Sequence, residues 1–124
     1  MNATVQELIR KLHALKQPDR RIDIEIAMFV GYRREFDEKD RRVLWFDPNG
    51  TDPVRIPPYT SSLDHAREFA NAVFPGHMAG CSWEPGTGSA RIDDGPYVQA
   101  SSAEIALCIA ALIAKNKRDV EAQK

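Results

Sequence analysis

A chain of 124 residues with 43% hydrophobic and 28% charged residues has room for one domain with a real apolar core and is not composed like a disordered polymer. Its 17 basic and 18 acidic residues nearly cancel, which excludes a global field that would gather DNA, anionic lipid or acidic substrates. The longest apolar run, residues 105–114, is too short to cross a bilayer, and no basic stretch followed by an apolar one opens the chain. With no export signal read, Cys81 and Cys108 are expected as free thiols in a reducing, cytoplasmic setting.

In chain order, Thr4 with Glu7 at capping-box spacing starts a helix whose apolar stripe is Val5, Leu8, Ile9, Leu12 and Leu15, and Pro18 ends it. Residues 22–31 fit two patterns. Ile22, Ile24 and Ile26 alternate with acids as in a strand, while Ile22, Ile26, Phe29 and Val30 fit one helix face closed by Gly31. Residues 33–42 mix both charges densely and are expected as a solvated loop or turn. Arg42 to Asp47 reads as a strand stopped by Pro48-Asn49-Gly50. The stretch through Pro53, Pro57 and Pro58 is too proline-rich for a central strand and should be an extended loop.

A second helix runs from about Ser62 to Phe74, with Leu63, Ala66, Ala70 and Val73 or Phe74 inward and Pro75-Gly76 as its stop. Two or three short strands follow, at about 78–83 and 89–92, joined across residues 84–88, with 97–100 as the candidate third. Ser101 or Ser102 then caps a helix that is apolar almost all round from 105 to 114, as a helix covered on several sides must be. The charged tail from Lys115 is expected to fray. The whole reads as a single α+β domain over 1–124, with an N-terminal helix within 1–18.

Several of these pieces together resemble the phage ABA sandwich domain family of small phage and prophage proteins. They are Asp23-Ile24-Glu25-Ile26-Ala27 before a glycine, Pro58-Tyr59-Thr60-Ser61-Ser62-Leu63-Asp64 at a helix start, Phe74-Pro75-Gly76 at its end, and Ala106 to Leu112 in the last helix. The resemblance spans about Asp19 to Lys115. It implies a helix for the ambiguous 22–31 segment and a small, mainly antiparallel sheet packed with helices on both faces, an α/β/α sandwich. It carries over no catalytic residues.

The chemistry is concentrated between Arg55 and Asp64. Exposed first-turn amides with Thr60 and Ser61 could hold an anion, Arg55 could pair with phosphate, and the Tyr59 ring could stack on a base. The same residues also build a helix start, with Ser61 or Ser62 as cap and Tyr59 on the core, and Asp64 puts negative charge where an anion would sit. Adjacent Asp64 and His65 point apart on a helix and cannot work as a base and its orienter. His13, His65 and His77 have no ligand spacing, and Gly86-Thr87-Gly88 reads as a hairpin tip rather than a P-loop. Asp23 and Glu25 read as first-turn acids, and Trp45, Phe46 and Trp83 as core aromatics beneath helices.

No nucleophile, base and orienter emerge as a set. The expected function is therefore that of a non-enzymatic accessory protein without cofactor or metal, acting by binding and forming a homo-oligomer. One reading has it sequester a small nucleotide-like ligand through Arg55, Tyr59, Thr60 and Ser61. The other has it inhibit or scaffold a host or phage protein.

Overall fold

The structure, a computed structural model, describes residues 3–123. Helices α1 (Ala3–Ala14) and α2 (Arg20–Phe29) are followed by strands β1 (Arg33–Asp37) and β2 (Arg42–Phe46), helix α3 (Leu63–Val73), strands β3 (Ala79–Glu84), β4 (Thr87–Ile92) and β5 (Val98–Ala100), and helix α4 (Ala103–Ala122). The strands make two antiparallel sheets, a β1-β2 hairpin and a β3-β4-β5 meander. The α+β expectation, with small antiparallel sheets packed on helices in a single domain, holds.

Helix α4 is the centre. Ile105, Leu107, Ile109 and Leu112, with the small residues between them, are buried all round the helix. Strands β4 and β5 lie against it from one side, and α1 and α3 also pack on it. Small residues let these layers close. Gly88 of β4 passes so near the start of α4 that a Cβ there would stand 2.1 Å from the Ala103 backbone nitrogen. Along β4, Gly88, Ala90 and Ile92 are buried and the residues between them are not, the period of two that one covered face requires.

The ambiguous 22–31 segment is helical. Asp19 caps α2 by accepting from the Arg21 amide, and Gly31 at φ +103° lets the chain leave it. Its alternating acids have separate uses. Glu25 pairs with Lys11 of α1 at 2.6 Å, while Asp23 is buried. Asp23 is the first-turn acid expected, and the fold buries it.

Three expectations are corrected. The charged 33–42 stretch is a strand and a turn rather than a loop, because Arg33 lies over the Phe46 ring at 5.5 Å and Asp37 pairs with Arg42 across the hairpin. The tail from Lys115 continues α4 to Ala122. Arg118 donates to the Val73 carbonyl at 2.9 Å and stacks on Phe74, and Lys115 bridges Asp119 one turn on. Thr4 lies inside the first turn of α1, and the position that would cap it is outside the described residues.

Candidate functional site

Two regions gather polar and aromatic side chains. The first is the loop leading into α3, where sequence had concentrated the chemistry. The Thr60 amide donates to Asp23 Oδ1 at 2.7 Å, and its hydroxyl oxygen accepts from the Asp19 amide at 3.0 Å. Arg20 closes the arrangement by donating to Asp23 Oδ2 at 2.9 Å and to the Ile56 carbonyl at 2.8 Å. Among the described residues Asp23 and Thr60 are the buried polar residues of the core, and each meets its partners there.

The Tyr59 ring is buried edge-on against Phe69, 5.9 Å between centroids. That burial pushes its phenol well above the ordinary range, and Tyr32 beside it adds to the shift. Ser62 caps α3, its hydroxyl oxygen accepting from the His65 amide. Ser61 stays on the surface with its hydroxyl toward the Pro58 carbonyl at 3.4 Å, and Arg55 is exposed. Of the four expected ligand residues, then, Tyr59 and Thr60 are core and Arg55 and Ser61 are surface. The segment binds α2 to α3 through side chains that a ligand would otherwise have used.

The second region is the β3-β4-β5 sheet, whose face away from α4 carries Gly80, Ser82, Ser89 and Arg91. Ser82 and Ser89 hydroxyls meet across the strands at 2.7 Å. Met78 and Tyr97 flank this floor and enclose with it a shallow depression of about 330 Å³. Arg91 lies 4.8 Å over the Tyr97 ring and donates from Nε to the Gly95 carbonyl at 2.8 Å, so both side chains are held in place. Asp93, in the left-handed region at φ +49°, orders the rim by accepting from the Met78 amide at 2.8 Å.

Met78, Tyr97 and Trp83 are 76%, 75% and 70% exposed, the most exposed large apolar side chains among the described residues. Trp83, expected in the core beside Trp45 and Phe46, stands free, and all six residues of β3 are exposed. Phe46 is buried as expected. Between β3 and α3 a groove of about 310 Å³ is lined by Leu63, Leu107, Ala79 and Cys81, with Arg67 at its side. Sequence reading passed over Met78, Arg91 and Tyr97. The one signal for them was a strand of small residues, Ala79-Gly80-Cys81-Ser82, with too little bulk to attract a helix to its second face.

His77 Nδ1 faces the Phe74 carbonyl at 2.8 Å and so carries the ring proton, and His65 Nδ1 meets Ser62 Oγ at 2.8 Å. Among the described residues no three His, Cys, Asp or Glu side chains converge as metal ligands, and no helix is long and apolar enough to cross a membrane. Comparisons with protein-family models, with curated proteins and with solved structures found no match to this chain.

Proposed function

We propose that this chain is a non-enzymatic interaction module that takes a partner protein on the open face of the β3-β4-β5 sheet. The observation that carries the reading is the grouping of Met78, Arg91 and Tyr97 around a flat floor of glycine and serine. Methionine, arginine and aromatic residues are the types that gain most when an interface closes over them, and small floor residues let a partner backbone approach. Tyr97 is already fixed by Arg91, so little side-chain freedom is left to lose on binding.

This reading is preferred to capture of a nucleotide-like molecule by Arg55, Tyr59, Thr60 and Ser61. The Thr60 amide and hydroxyl are committed to Asp23 and Asp19, and the Tyr59 ring is committed to Phe69. The resemblance to a phage-associated family makes the partner a host or phage protein, inhibited or scaffolded by the contact. The two free thiols, Cys81 exposed and Cys108 buried, suit the reducing bacterial cytoplasm as the place of action.

A photo-crosslinking residue placed at position 97 or 99 in bacterial cells tests the reading, with the exposed position 16, just after α1, as reference. A discrete protein adduct at 97 and 99 but not at 16, lost on Arg91→Ala, is the expected result. Equal labelling at all three positions, or none at any, overturns it.

A further inference from the structure

Among the described residues the outer edge of β3 has no strand beside it, and its backbone can be read group by group. The Asp93 amide donates to the Met78 carbonyl at 2.8 Å, so Met78 turns its backbone toward β4. In an antiparallel ladder this direction alternates. Gly80, Ser82 and Glu84 therefore also point to β4, while Ala79, Cys81 and Trp83 direct their N–H and C=O groups to the open side. Nothing in the strand guards that edge. It contains no lysine, no proline and no bulge, its pairing with β4 is continuous from Ala79 to Glu84, and its one charge is Glu84 at the end.

We propose that a second copy of this chain covers this edge, β3 pairing antiparallel with β3 about a twofold axis through Cys81. The strand's own geometry selects the register. Directly opposed residues share a face of a sheet, so a symmetric pairing that keeps the faces must be centred on a residue and not between two. Only centring on Cys81 uses all three outward residues of the strand: Cys81 opposes its own copy, and Ala79 opposes Trp83 at both ends. Each such pair exchanges two hydrogen bonds, giving about six across the axis.

Side chains agree with that register. Trp83 of one copy falls opposite Ala79 of the other, on the face where the groove of about 310 Å³ runs between β3 and α3. An indole that is 70% exposed in the single chain thereby finds an apolar floor of Leu63 and Leu107, with the Arg67 guanidinium at its side. The contact is reciprocal, so each copy supplies one knob and one groove, the self-complementarity that a closed twofold interface needs. Glu84 opposes Met78 and not a second acid. On the other face, Gly80 and Ser82 oppose each other and leave the depression open. The two β3-β4-β5 faces become one six-stranded surface, and the two Met78–Tyr97 rims look the same way.

The inference stands on the strand edge and not on the face assigned to a partner protein, and the two fail separately. Sedimentation of the full chain over a range of concentrations, with residue-resolved amide exchange, is the test. The expected outcome is a dimer in which the Ala79, Cys81 and Trp83 amides become protected as concentration rises, while those of Gly80, Ser82 and Glu84 are protected throughout. A short bis-maleimide should join the two Cys81 thiols, whose Cα atoms lie about 5.5 Å apart in a hydrogen-bonded pair. Buried Cys108 should not react. Trp83→Lys, at a position exposed in the single chain, should weaken the dimer at least ~10-fold and leave the photo-adduct at position 97 intact. A monomer at every concentration overturns the proposal. So does a dimer in which the odd-numbered β3 amides exchange freely, or one joined by bis-maleimide through Phe36→Cys instead of Cys81.

Discussion

The Asp19–Thr60 junction and the β3-β4-β5 sheet both bring polar and aromatic side chains together, and they use them in opposite ways. At the junction, the groups of Asp23, Thr60 and Arg20 are bonded to one another and to the chain, and the aromatic Tyr59 is packed on Phe69. On the sheet, Met78, Tyr97 and Trp83 stand in solvent, and a row of backbone groups along β3 has no strand to meet. A dense polar motif in the sequence thus marks a joint that is already closed. The plain strand of small residues marks a surface that is still open. Side chains satisfied inside the fold stabilise it; side chains left exposed on rigid strands are available to something else.

The sharpest way to break this contrast is to cut the junction. Asp23→Ala leaves the Thr60 amide buried without an acceptor and Arg20 without its carboxylate, and should cost about 3 kcal/mol in denaturant unfolding. Adduct formation at position 97 should persist at temperatures where the variant is folded. A loss under ~1 kcal/mol, the scale of an ordinary hydrogen bond, would show that the junction does not staple α2 to α3. Next in size is Gly88→Ala. The added carbon meets the α4 backbone, which cannot swing aside as a flexible side chain could, and the expected loss is about 2–3 kcal/mol. Gly80→Ala in the neighbouring strand, with open space around it, is the control and should cost far less.

These residues also show what could be read without coordinates. The α4 run announces a covered helix because ten consecutive small or apolar residues, 105–114, have no polar side to give to water. The start of α3 is legible from its serines and prolines because capping is local chemistry. The role of Asp23 is not, since its partner Thr60 lies 37 residues away and nothing local distinguishes a buried acid from an exposed one. The 33–42 hairpin is hidden for a similar reason: a stretch of charge reads as solvated until Phe46 is found beneath Arg33. Exposure of Trp83 is hardest of all. It depends on which elements pack against β3, which no window of sequence contains.

Alkaline titration sharpens the same comparison at about 1 kcal/mol. Two buried acids, Tyr59 and Cys108, have their ionisation pushed upward by burial, with Tyr32 adding to the first and Asp23 to the second. Above its ordinary range each group loses its proton in the unfolded chain before it does in the folded one, so stability is full at neutral pH and falls as pH rises. The decline should begin near ~8.5 through Cys108 and steepen above ~10 through Tyr59. Tyr59→Phe should cost about 1 kcal/mol at neutral pH, through the lost contact with Tyr32, and should remove only the upper part of the decline. Parallel curves for the two proteins above that point would mean that the Tyr59 hydroxyl reaches water after all.

The smallest expected effect on stability falls on the open sheet. Because Met78 and Trp83 are mostly in solvent, the double change Met78→Ser and Trp83→Ser should move single-chain stability by less than ~0.5 kcal/mol, measured at concentrations below any self-association. An apolar residue that contributes nothing to its own fold and is still held on a paired strand has its use outside the chain. The two serines should therefore leave thermal unfolding of the dilute protein unchanged while abolishing concentration-dependent protection along β3. If they destabilise the isolated chain by ~2 kcal/mol or more, as core truncations do, these side chains belong to the core after all, and the difference between the two regions disappears.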